Sequence, residues 1–99
     1  MNEDRWELTL FIAGRTVRSV RAIRSVRRLF PEQREQTLGL EVVDVLDEPD
    51  RAEEAGIVAT PTLVRRSPTP ERRVIGDLTD SERLADVLDV PISIPEVQQ

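Results

Sequence analysis

Residues 6–13, Trp-Glu-Leu-Thr-Leu-Phe-Ile-Ala, alternate at first and then become continuously apolar, as a strand covered on both faces does. Gly14 ends that run. Thr16 is placed to cap a helix in which Val17, Val20, Ile23, Val26 and Phe30 recur at helical spacing, and Pro31 stops it. Polar residues 32–39, ending in Gly39, read as a loop. Leu40 to Leu46 predicts a second strand, parallel to the first across a right-handed crossover. Glu48-Pro49 opens a short helix over Asp50 to Ala55 with Gly56 as its cap. Ile57-Val58-Ala59 leads into Thr60-Pro61, and Thr62 to Arg65 is a third strand. A turn at Ser67-Pro68-Thr69-Pro70 returns the chain as a fourth strand, Arg72 to Gly76. Thr79 or Asp80 caps a last helix whose apolar side is Leu84, Val87 and Leu88, ended by Pro91.

The predicted order is βαβαββα, an α/β domain. A strand entered through Thr60-Pro61 behind a βαβ unit suggests a thioredoxin-like architecture, with a cis bond at that proline. Such a scaffold does thiol–disulfide chemistry through a Cys-x-x-Cys pair, and this chain has no cysteine. Function then falls to the surface. Ninety-nine residues suit one domain, expected over 1–90 with a tail at 91–99. No apolar run reaches the length of a membrane span, and Asn-Glu-Asp-Arg at the start is no signal peptide, so a cytoplasmic location is expected.

Charge changes the picture more than composition does. All fourteen basic residues are Arg, and Arg15, Arg18, Arg21, Arg24, Arg27 and Arg28 fall in a segment without an acid. That segment carries +6. The other eight arginines against nineteen acids leave the remainder at −11, for a net −5. A basic helix on an acidic domain orients partners electrostatically. Nucleic acid fits poorly, because the net charge is negative and no aromatic residues are interleaved for bases to stack on. An acidic protein surface fits better, since the guanidinium fork matches carboxylates.

The runs Leu8-Thr-Leu-Phe-Ile-Ala-Gly14, Ser19-Val-Arg-Ala22, Val42-Val-Asp-Val-Leu46, Ala52-Glu-Glu54, Ala59-Thr-Pro-Thr-Leu63 and Arg72-Arg-Val-Ile-Gly-Asp-Leu78, with Pro49, resemble the KaiB family of the cyanobacterial circadian clock. The similarity runs from about Leu8 to Asp89 without gaps. It implies a non-enzymatic regulator without a cofactor. Such a regulator binds the ATPase ring of a KaiC-type protein and, through it, sequesters a KaiA-like protein or competes with a histidine kinase whose sensor domain shares the fold. It also implies two folds, a binding-competent thioredoxin-like monomer (βαβαββα) and a ground state (βαββααβ) that is dimeric or tetrameric. On this resemblance Arg21, Arg73, Gly39 and Glu41 are partner-binding positions. Glu41 stands where the clock proteins carry a lysine, whereas Arg21 and Arg73 match. Thr60, Pro61, Gly76, Asp77, Val87 and Asp89 are structural or fold-switch positions, and Val87 replaces a helix-breaking glycine. An adaptor acting on a histidine kinase without fold switching is the alternative.

Other clusters carry less. Asp44, Asp47, Glu48 and Asp50 gather four acids near a strand end without His or Cys, and acids belong at a helix start in any case. Gly76-Asp77 lacks the glycine spacing of a phosphate loop and reads as a turn and a pivot between folds.

Overall fold

The structure is a computed structural model, and it describes residues 6–28, 38–76, 78–79 and 81–88. Four strands, β1 (Trp6–Ile12), β2 (Leu38–Asp44), β3 (Thr62–Ser67) and β4 (Arg72–Ile75), form one sheet in the order β2-β1-β3-β4. β1 pairs parallel with β2 and antiparallel with β3, and β4 pairs antiparallel with β3. Three helices join them: α1 (Val17–Arg28), α2 (Pro49–Ala55) and α3 (Ser81–Leu88). The order βαβαββα is the predicted one.

β1 is central, and its two kinds of position fill two cores. Leu8, Leu10 and Ile12 pack with Ala22 and Val26 of α1, Leu63, Val74, Leu78, and Leu84 and Leu88 of α3. Phe11, on the other face, packs with Val43 and Val64, against which Ala55 and Ile57 are laid. So α1 and α3 cover one face of the sheet and α2 the other. Residues 8–12 are therefore apolar almost throughout because both faces of the strand are covered.

Several expectations need correction. β2 spans Leu38–Asp44, not 40–46. Gly39 is therefore no loop residue. It lies in the strand opposite Glu7. In α1 the buried positions are Ser19, Ala22, Ser25 and Val26, while Val17 and Val20 point outward. The expected stripe of steps of three drifts around a helix of 3.6 residues per turn. Positions 19, 22, 23 and 26 follow the i, i+3, i+4, i+7 rule and stay on one face. β3 continues to Ser67, two residues beyond the expected end. Phe30, Pro31, Asp77, Asp80, Asp89, Pro91 and the tail lie outside the described residues, so the helix stop, the Asp80 cap and two of the pivot positions are not located.

Local chemistry explains the helix ends. Thr16 caps α1 as expected: its Oγ1 accepts from the Ser19 amide at 3.0 Å. Pro49 opens α2, where its missing N–H costs nothing. At the other end Gly56, at φ 70°, takes the left-handed conformation, and the Ile57 amide reaches back to the Ala52 carbonyl at 2.9 Å. α3 is helical through Val87, which is half-exposed. Val87 thus stands in a helix, in line with the helical reading of that segment.

Candidate partner-binding groove

The corner that starts α1 is fixed by one carboxylate. Asp44, at the end of β2, accepts on Oδ1 from the Gly14 amide and from the Leu46 amide, both at 3.0 Å. Gly14 has φ 75°, and a Cβ there would meet Leu46 Cδ1 at 3.4 Å. The contact is an ordinary one, so it is the positive φ that suits glycine at this turn. Asp44 is thus a structural acceptor. Among the described residues, no group of three His, Cys, Asp or Glu could hold a metal ion.

From that corner α1 runs beside the loop bearing Pro61. The Thr60–Pro61 bond is cis, and the Pro61 carbonyl accepts from the Gly76 amide at 3.1 Å. Gly76 sits at φ 105°, where an L side chain is strained. Between these segments lies an open groove of about 530 Å³. Among the described residues, Val17, Arg18, Arg21, Ala22, Pro61, Gly76, Leu78 and Thr79 line it. Ala22, Pro61 and Leu78 are buried and supply an apolar floor. Val17, 69% exposed, stands at the rim. Of the sequence-predicted positions, the groove brings together Arg21, Pro61 and Gly76.

The arginines divide into two sets. Arg15, Arg18, Arg21, Arg24, Arg27 and Arg28 are all exposed, and among the described residues none takes part in a hydrogen bond or ion pair. On the sheet and α2, Arg51, Arg65, Arg66 and Arg73 are engaged, whereas Arg72 is exposed like the first set. Arg51 grips both carboxylate oxygens of Glu41 and lies 3.7 Å from Glu48. Arg66 donates from Nε to Thr9 Oγ1 at 2.9 Å. Arg73 donates from Nε to Glu71 at 2.8 Å. Arg65, only 3% exposed, donates to the Leu88 carbonyl and, at 2.7 Å, to the Pro70 carbonyl. Its guanidinium also lies 5.2 Å from the centre of the Trp6 ring.

The other predicted binding positions sit elsewhere. Glu41 lies beside Thr9, which pairs with Val64, which in turn faces Arg73. This row crosses the face that α2 covers, opposite to α1. Gly39 is two residues from Glu41 on the same strand. Gly39, Glu41 and Arg73 therefore share a sheet face, and Arg21 does not. Glu41 and Arg66 also line a shallow depression of about 210 Å³ with Glu7, Thr9 and Gly39. The Arg51 hydrogen bond holds the Glu41 carboxyl below its ordinary range, with the charges of Arg51 and Arg66 adding to it. The same pair raises Arg51.

Sequence reading missed the roles of Arg65 and Asp44. Arg65 follows Leu63 by two, so alternation alone puts it on the core side. Its usable signal was a charge at an inward position. Asp44 carried no such signal, because its partners are backbone amides of two loops.

A family model, KaiB domain, matches residues 9–90. Circadian clock protein KaiB3 of Synechocystis sp. is 40% identical over 96 residues, covering 97% of this chain and 91% of that protein. Circadian clock oscillator protein KaiB of Nostoc punctiforme is 45% identical over 83 residues, 84% of this chain and 80% of that one. Among solved structures, the N-terminal domain of Synechococcus elongatus SasA superposes with a TM-score of 0.68 at 27% identity, covering 92% of this chain and 90% of that one. The germline-specific thioredoxin Deadhead of Drosophila melanogaster gives a TM-score of 0.68 at 16% identity over 87% of this chain and 80% of its own, a likeness of fold alone.

Proposed function

The chain belongs to the KaiB family, and from that premise we propose that it regulates timing by docking on the ring of a KaiC-type ATPase. Its place among circadian clock proteins supports the general role. The observation that favours α1 as the docking element is a run of exposed arginines without a partner among the described residues, of which Arg18 and Arg21 line the groove. A desolvated contact with carboxylates would satisfy them, and Arg21 is the family-matching member of the set. Arg73, Gly39 and Glu41, the other partner-binding positions, lie together on the opposite sheet face. The thioredoxin-like arrangement is the binding-competent form. Thr60, Pro61, Gly76, Asp77, Val87 and Asp89 mark the half of the chain that refolds into a dimeric or tetrameric ground state. The protein acts in the cytoplasm without catalysis or cofactor.

The likeness to the SasA N-terminal domain favours a second reading, an adaptor acting on a histidine kinase without fold switching. The two separate in one experiment. Purified protein is mixed with the KaiC-type ATPase of its own organism and, separately, with a histidine kinase carrying the shared sensor fold, each followed by native mass spectrometry. A complex with the ATPase ring supports the first reading. Binding to the kinase alone replaces it with the second.

A further inference from the structure

We propose that the groove between α1 and the Pro61–Gly76 corner holds an acidic, extended segment of the protein partner, with one apolar side chain seated between carboxylates. This rests on the partner-binding reading above and adds the chemistry of what is bound. The groove has two kinds of wall. Arg18 and Arg21 line one side, exposed and without a partner among the described residues, and Arg15, just before the helix, and Arg24 add the same charge. Its floor is apolar at Ala22, Pro61 and Leu78, with Val17 at the rim. Among the described residues, no acidic side chain lines it. A wholly charged ligand would leave the floor unused, and a wholly apolar one would bury guanidinium groups without partners, which is costly. An apolar residue flanked by Asp or Glu satisfies both walls. The groove volume, about 530 Å³, lies in the usual range of roughly 300–1,000 Å³ for ligand clefts.

The contrast with the other arginines sharpens the choice of ligand. Arg51 and Arg73 already meet carboxylates within the chain. Arg18 and Arg21 have the same chemistry and no such partner among the described residues, so both are open to a carboxylate from outside.

The test uses the full chain and a labelled peptide, Gly-Asp-Glu-Leu-Asp-Glu-Gly, followed by fluorescence anisotropy at two salt concentrations. Binding should weaken at least tenfold when the acids become Asn and Gln, and severalfold when the central Leu becomes Gly. The double variant Arg18→Ala/Arg21→Ala should lose at least tenfold. Arg27→Ala/Arg28→Ala removes the same charge from the same helix outside the groove and should lose less than about twofold to threefold. Val17→Glu, with helix content checked by circular dichroism, should lose as much as the groove double variant. Equal losses for the two double variants overturn the inference, because charge then acts only as a total. A neutral peptide that binds as well as the acidic one also overturns it. If the peptide fails to bind while the KaiC-type ATPase still does, the groove inference falls and the regulatory reading stands. If the peptide binds as described and the ATPase does not, the groove stands and the regulatory reading falls.

Discussion

The arginines of the sheet and those of α1 have the same chemistry and opposite situations. Arg65 and Arg66 lie on the sheet's third strand, and Arg51 and Arg73 on elements beside it, and each is held by an internal acceptor. Among the described residues, Arg15 and the five arginines of α1 hold nothing. A charge that the fold satisfies contributes to the fold, and its removal is felt as lost stability. A charge left exposed contributes almost nothing to folding and is free to act on a partner. The same substitution should therefore report on different properties in the two regions.

The largest effect should come from Arg65. Arg65→Met removes the donor to the Leu88 and Pro70 carbonyls and the contact with Trp6, from a site 3% exposed. Urea unfolding should fall by about 2–4 kcal/mol, as when a buried polar partner is removed. Arg24→Met on α1 should change it by less than about 0.5 kcal/mol. If the two substitutions cost the same, the division between the regions fails.

Capping and helix propensity come next. Thr16→Ala removes the acceptor of the Ser19 amide and should cost about 1 kcal/mol in the same assay. Val87→Gly should favour a non-helical state of α3 by up to about 1 kcal/mol, roughly a fivefold change in ratio. Backbone chemical shifts over residues 81–88 would read the population. An unchanged helix would remove Val87 from the positions that tune the fold.

These effects also show where the sequence was readable. The element order, the Thr16 cap, the Gly56 stop and the doubly covered β1 follow from local patterns that the chain states outright. The inward face of α1 was misread because Val17 and Val20 look like core residues, while Ser19 and Ser25, which are buried, do not. Tertiary packing chose a face of small residues over an apolar one. The strand position of Gly39 could not be read, because pairing with β1 extends β2 beyond what propensity supports. For the site, Arg21, Pro61 and Gly76 were singled out separately, and only the tertiary structure brings them to one groove. The division of the arginines was only partly visible: Glu71 lies two residues from Arg73, but the acceptors of Arg66 and Arg65 include Thr9 and the Leu88 carbonyl, far along the chain.

The smallest effect concerns Glu41. Its carboxyl is held below its ordinary range by Arg51, so it stabilises the fold above the unfolded-state value near 4.5 and loses that contribution as pH falls through its own lower value. The pair is exposed, so the change is small. The melting temperature of Glu41→Gln should lie slightly below that of the parent protein at pH 7, and the gap should close as pH falls below about 4.5. A gap that widens on acidification would reverse the assigned sign.

The central claim is that the unengaged arginines of α1 are the ones that meet the ATPase partner. Surface plasmon resonance tests it with the KaiC-type ring immobilised and Arg21→Glu compared with Arg73→Glu at two salt concentrations, the parent protein as reference. Arg21 lines the groove with no partner among the described residues, and Arg73 is tied to Glu71 on the opposite sheet face. The account predicts that Arg21→Glu weakens binding at least tenfold, mostly through slower association and more strongly at low salt, with a smaller loss for Arg73→Glu. Unchanged binding by Arg21→Glu, or an equal loss in both variants, would contradict it.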